Sequence, residues 1–305
     1  MRTHPIKAVD DPRCETWGCA RELLMSIADR HCQILYRGHA DVSWKLTSSL
    51  GRIVNSLSRQ NRWKPRQKKQ KEQAIEQSLL EEFKKAHRRL PGAMPLPADT
   101  DDLLALAQHH SLPTRLLDWS RSPYIAAFFA FDGCRATVFP PGHDVVIWAL
   151  DWSMMEWLDY YAYKRAAVPS APAKRPDDWQ DTINAMKANG NLPRVELLED
   201  KGSANRRVVY QEGLFTRVME AKDNIVSYIK RREQYAPGTV LTKIVIPGTE
   251  QAKVLRDLQL MAITPVTLMN DFDGAAATAF NAAVRFQSMT SPRPQIAAQA
   301  PVPVP

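Results

Sequence analysis

Ala107-Gln-His-His-Ser-Leu-Pro-Thr-Arg-Leu-Leu-Asp-Trp-Ser-Arg-Ser-Pro-Tyr-Ile-Ala-Ala-Phe-Phe-Ala130 decides how the rest of the chain is read. Its first part is crowded with chemically capable side chains: His109, His110, Thr114, Arg115, Asp118 and Ser120. From Tyr124 to Phe131 it is almost wholly apolar. Proline disfavours helix at the residue before it, so Pro113 ends a helix near Leu112 and Pro123 keeps Ser122 extended. Between the prolines, Thr114 to Ser120 reads most simply as a strand. Ser120 or Ser122 then caps a helix whose first turn holds Pro123, where a missing N–H costs little. The stretch predicts helix, polar turn, short strand, buried helix. Polar groups between buried elements need partners or a task. Arg115 and Asp118 are spaced for an internal ion pair, and His109 for a helix end, so a structural and a chemical use both stand open.

Working outward, Trp17, Ala20, Leu23, Leu24, Ile27 and Ala28 recur at helical spacing over Trp17 to His31. Ile34 to Tyr36 reads as a buried strand broken at Gly38, and Asp41 to Leu50 as a strand or extended turn. Arg59 to Lys71 is very basic with Trp63 inside it, and Pro65 marks a helix start. Such a run suits phosphates and equally a solvated helix end. Ile75, Leu79, Phe83, Ala86 and Leu90 give that helix its apolar stripe. Asp99 to Asp102 supply a cap and first-turn carboxylates for a helix over Leu103 to His109.

Downstream, Val145 to Leu150 is a strong buried strand and Met154 to Tyr163 an aromatic helix. Arg206 to Arg217 holds a strand and a glycine break. Leu241 to Ile246 alternates as a strand, Glu250 to Leu260 is a helix, Ile263 to Leu268 a short strand, and Asp271 to Phe286 contains a last helix. This irregular alternation, without GxGxxG or a P-loop, argues α+β: a single mixed domain with a central, mainly antiparallel β core flanked by helices. The simplest partition is one domain over 15–287, with 55–95 a basic helical insertion and 164–176 a mobile loop. The Pro/Ala/Gln-rich tail 288–305 reads as disordered.

The 305 residues carry 41 Lys and Arg against 33 Asp and Glu, and the pI is about 9.3. That excess favours anionic partners, RNA or DNA among them. Cys14, Cys19, Cys32 and Cys134 form no CxxC pair, so no zinc site is expected. No apolar segment follows Met1 and none approaches the ~18 residues of a membrane span, so a reducing, cytoplasmic setting is the expectation, with no membrane partner.

Three segments together resemble the FRG domain family, named for a Phe-Arg-Gly motif. They are Tyr36-Arg37-Gly38-His39, the long Gln108-to-Pro123 signature, and Gln211-Glu212-Gly213-Leu214-Phe215-Thr216. Tyr36 stands for Phe, and His39 stands where Gln is common. The order also resembles ADP-ribosyltransferases of the Arg-Ser-Glu type. There, one strand ends in aromatic-Arg-Gly, a second carries Ser before an apolar helix, and a third carries Glu. The resemblance implies a split sheet, NAD as the substrate consumed, and Arg37, Ser120, Gln211 and Glu212 as the catalytic set.

In that picture Gly38 lets backbone approach a nicotinamide, and Arg37 pairs with a pyrophosphate. Ser120 fixes Arg37 or a ribose. Glu212 or Gln211, adjacent and so on opposite faces of a strand, meets the developing positive charge. Trp119 or Tyr124 stacks on the ring. Tyr36, His39, Thr114, Arg115 and Asp118 complete the dinucleotide site, with His109 and His110 toward the substrate. The implied protein is a toxin or phage-defence effector, with a macromolecular target and a possible protein antitoxin or regulator. Two other classes remain: a hydrolase or nuclease using His109, His110 and Asp118, and a non-catalytic module that binds nucleic acid or nucleotide through Arg37, Arg115 and the 59–71 run.

Overall fold

The structure, a computed structural model, describes residues 7–30, 33–132, 143–167, 179–190, 195–199, 206–218, 224–236 and 238–290. Two compact units form, residues 1–263 and residues 264–305. In chain order the first unit holds β1 (Val9–Asp10), α1 (Trp17–Ala28), β2 (Ile34–His39), α2 (Ser49–Gln60), α3 (Pro65–His87), α4 (Thr100–His109), β3 (Leu116–Ser120) and α5 (Pro123–Asp132). It continues with β4 (Val145–Asp151), α6 (Trp152–Ala167), α7 (Trp179–Ala188), β5 (Val195–Glu199), α8 (Arg206–Tyr210), β6 (Gly213–Val218), α9 (Ile225–Lys230), β7 (Leu241–Ile246) and α10 (Gln251–Leu260). The second unit holds α11 (Pro265–Met269) and α12 (Phe272–Thr290).

Among the described residues the seven strands form one mixed sheet in the order β1-β7-β4-β2-β3-β6-β5. Only β1 runs parallel to its neighbour; all other pairs are antiparallel. This is the α+β class that the sequence predicts. Every residue of β4 is buried, as a central strand covered on both faces requires. One face carries Leu35, Trp148, Leu150, Leu117 and Trp119, packed with Met155 and Leu158 of α6 and Ile225, Tyr228 and Ile229 of α9. Over β3 and β6, Leu116 and Phe215 pack against Leu104 and Ala105 of α4 and Val208 of α8.

Local chemistry explains most element ends. Thr16 caps α1 by accepting from Cys19 N, and Asp99 caps α4 through Asp101 N and Asp102 N. At the other end of α4, Ser111 takes φ 65°. Its N–H donates to Gln108 O, and Leu112 N donates to Ala107 O. That is a Schellman closure, and Pro113 keeps the helix from continuing past it. Pro123 opens α5, where Ile125 N bonds Ser122 Oγ at 3.4 Å.

Three readings change. Ser48 caps a helix at Ser49, so residues 41–50 are turn and helix start rather than strand. Ile263 to Leu268 is not a strand: Thr264 accepts from Thr267 N, and Pro265 sits in the first turn of α11. Before β6 the chain forms the short helix α8, so Gln211 and Glu212 are turn residues and not strand residues. The expected mobile loop 164–176 overlaps the end of α6 and otherwise lies outside the described residues. The tail 288–305 likewise lies outside them beyond residue 290.

Candidate functional site

The sheet is nearly cut in two between β2 and β3. β2 pairs with β4 all along its length, and β3 with β6. β2 and β3 meet only at Tyr36↔Ser120. Beyond that rung Arg37 bridges the gap. Its Nη1 donates to Asp118 O at 2.6 Å and to Asp118 Oδ2 at 3.2 Å. Its Nε lies 3.1 Å from His39 Nε2, and Trp148 Nε1 lies 3.2 Å from His39 Nδ1; a neutral imidazole has one acceptor nitrogen, so one of these two donors bonds the ring at a time. Trp44, 54% exposed, stands edge-on to the same imidazole.

From Asp118 the network runs inward. The Gln108 amide nitrogen donates to Asp118 Oδ1, and the Thr114 hydroxyl donates to Gln108 Oε1. Thr114 Oγ1 accepts from Leu116 N, and Thr114 N donates to Ser49 Oγ at the start of α2. One chain of hydrogen bonds thus joins α2, α4, β3, β2 and β4. His39 is buried between these groups. Its ring is held neutral, with the pKa pushed down to about 3, first by burial and then by the Arg37 charge.

The predicted residues divide. Ser120 and Gln211 come together: Ser120 Oγ donates to Gln211 O at 2.8 Å and accepts from Ser122 N. Ser120 shares its ladder position and face with Tyr36, so its hydroxyl closes a turn and does not reach Arg37. Glu212 is exposed and takes φ 46°, a left-handed conformation that disfavours side chains; its carbonyl accepts from Arg121 N. Arg115 turns away from Asp118. Its Nε donates to both oxygens of buried Glu76 on α3, at 2.9 and 2.8 Å, and the guanidinium is half-buried there. His110 caps α4, its ring edge-on to His109.

Three expected roles are not met. A Cβ on Gly38 would sit inside contact distance of Ala126 O and 2.5 Å from Ala130 N, so this glycine admits helix α5 and not a ligand. Tyr36 lies under the same helix face and is buried. Trp119 is 3% exposed, with its Nε1 donating to Thr216 Oγ1 at 2.8 Å, and offers no face for stacking. Tyr124 is half-buried, edge-on to Trp17, with its hydroxyl toward Met25 Sδ.

Gln108 and Glu76 are the working residues that sequence reasoning passed over. Glu76 had a signal: with Glu72 it falls in helical register with Leu79 and Phe83. A carboxylate on an apolar stripe needs a buried cation.

The polar chain from Gln108 to Arg37 therefore turns one continuous signature into one connected object. Residues 32–137 match the FRG domain family model. The chain carries an FRG domain. The matched span of the FRG domain includes Arg37, His39 and the whole 107–130 stretch, while Gln211 to Thr216 lie outside it. No curated protein and no solved structure matches the chain. Among the described residues, no cluster of His, Cys, Asp and Glu is arranged to hold a metal, and no helix is long and apolar enough to cross a membrane.

Proposed function

We propose that this FRG-domain protein is an NAD-dependent ADP-ribosyltransferase that modifies a macromolecular target. One observation carries the reading. Arg37, Ser120 and the Gln211–Glu212 turn gather at one end of three neighbouring strands, where Tyr36 pairs with Ser120 and Ser120 with Gly213. Beyond that rung β2 and β3 have no further ladder pair and only the Arg37–Asp118 bridge spans them, which supports a cleft there.

The residue set that fits the dinucleotide is narrower than the sequence implied. Arg37 Nη2 makes no hydrogen bond among the described residues, and the side chain is 21% exposed, so it can clasp a pyrophosphate. Glu212 supplies an exposed carboxylate for ribose. Its left-handed backbone costs of order 1 kcal/mol, the kind of strain that collects at working sites. Gly38 and Trp119 take no part.

In the transfer, the bond from ribose C1′ to the nicotinamide nitrogen breaks. The nitrogen keeps the electron pair and nicotinamide leaves neutral. A target oxygen or nitrogen bonds to C1′ and gives its proton to solvent or a base. Glu212 stabilises the positive charge that develops on the ribose. The proposal extends to a toxin or phage-defence role with a protein antitoxin or regulator as partner.

The test is incubation of the purified protein with adenylate-labelled NAD and a cell extract. Label should pass to macromolecules with the intact chain and fail with Arg37→Ala and Glu212→Gln. NAD neither bound nor consumed, in the presence of extract, overturns the proposal.

A further inference from the structure

From Val42 to Lys71 the chain has nine cations and no carboxylate. The remaining residues hold 32 Lys and Arg against 33 Asp and Glu, so this one segment carries the whole net charge of the protein. In the fold it becomes α2, a tight turn and the first part of α3. Arg59, Arg62, Lys64, Arg66, Lys69 and Lys71 are all exposed, and none forms an ion pair among the described residues. The C-terminal part of α3 is different: there Glu82 pairs with Lys85, and Glu81 lies among the lysines.

The turn holds a cation where the backbone argues against one. Trp63 N donates to Ser58 O and Asn61 N to Leu57 O, closing α2 around Arg62 at φ 51°. Glycine suits that position, and an arginine there is strained. Trp63 lies half-exposed next to it, between Arg62 and Lys64. At the foot of the same hairpin, exposed Trp44 stands beside His39, and Ser49 is bonded to Thr114.

We infer that the α2–α3 hairpin is a docking arm for single-stranded nucleic acid. Unpaired exposed cations at its tip track a phosphate backbone. Trp63 in their midst, and Trp44 nearer the Arg37 network, provide aromatic faces that only unpaired bases can reach. The inference does not depend on NAD chemistry, although an arm rooted beside the Arg37–Asp118 bridge would deliver its strand there.

The experiment is fluorescence anisotropy of a labelled 20-nucleotide single strand, as RNA and as DNA, with the full-length protein and no NAD. Binding of at least one of them should weaken about a hundredfold between 50 and 200 mM salt, since several phosphates are neutralised. Arg62→Glu/Lys64→Glu/Lys69→Glu should abolish it, while reversal of Lys84, Lys230 and Arg256 leaves most of it. Trp63→Ala should cost about tenfold for the single strand. Absence of binding, indifference to the hairpin reversal, or equal affinity for duplex or for a heparin oligosaccharide overturns the assignment. The assay contains no NAD, so this inference and the transferase proposal fail separately.

Discussion

Arg115 and Arg62 are both basic residues of the FRG domain, and the fold treats them in opposite ways. Arg115 gives its guanidinium to buried Glu76, in two-pronged contact, and disappears into the packing of α3 against the loop before β3. Arg62 is held in solvent, in a strained backbone conformation, with no counter-ion among the described residues. The same contrast separates the Gln108–Asp118–Arg37–His39 chain, where most donors meet acceptors, from the hairpin tip, where six exposed cations form no ion pair among the described residues. Buried charge that is matched, as at Arg115 and Glu76, specifies a fold. Surface charge that is left unmatched raises the energy of the compact state slightly and is free for a partner.

Four experiments break or sharpen that contrast. Gly38→Ala should have the largest effect, because the new methyl meets the backbone of α5, which cannot give way. A loss of about 3 kcal/mol or more, with Tm lower by at least about 6 °C, is expected in thermal melts. A melt within a degree or two of the intact chain would show that α5 is not seated there.

Arg115→Met should cost about 2–3 kcal/mol in urea unfolding, since Glu76 is left buried without its cation, and Arg115→Met/Glu76→Leu should recover most of it. If the double variant is no better than the single, the pair is not the matched interior charge described here.

The third concerns pH. The folded His39 ring refuses a proton until about pH 3, whereas the unfolded chain takes one near 6.5. The unfolded state therefore binds more protons across that window. Stability falls as pH drops through it, by about 1.6 kcal/mol between pH 6.5 and 5. His39→Gln should flatten this part of the urea-midpoint curve, and an unchanged slope would assign the acid sensitivity to other groups. Smallest of all, the triple hairpin reversal that abolishes nucleic-acid binding should leave Tm within about 1 °C or raise it, because it relieves repulsion between exposed like charges.

How far the sequence could be read follows the same line. Alternation and prolines exposed β3, α5, β4 and β7, since their residues obey local rules of capping and periodicity. The two prolines bracketing residues 114–122 alone set the order helix, strand, helix. Ser111 in a left-handed helix closure was not legible, because nothing in a serine announces that conformation. α8 was also hidden, since five residues carry too little periodicity to separate helix from strand.

At the site, Arg37 and Asp118 were each recognisable as chemically capable, but sequence spacing offered Asp118 to Arg115, and the fold gives it to Arg37. The turn of Arg115 toward Glu76 was not, because the two lie 39 positions apart and only the packing of α3 brings them together. Gly38 shows a deeper ambiguity. A glycine next to an arginine on a strand signals close backbone approach, but the sequence does not say whether a ligand or a helix is what approaches.

The single rung between β2 and β3 has a mechanical meaning. A β-sheet is stiff because strain applied to one strand is shared along a row of hydrogen bonds, and here that row shrinks to Tyr36↔Ser120. Beyond it Arg37 ties the seam, through the Asp118 carbonyl and carboxylate, over the core that Leu35, Leu117 and Trp119 share. Whatever draws that guanidinium away loosens the joint between the two halves of the sheet, and whatever holds it in place stiffens the whole plate.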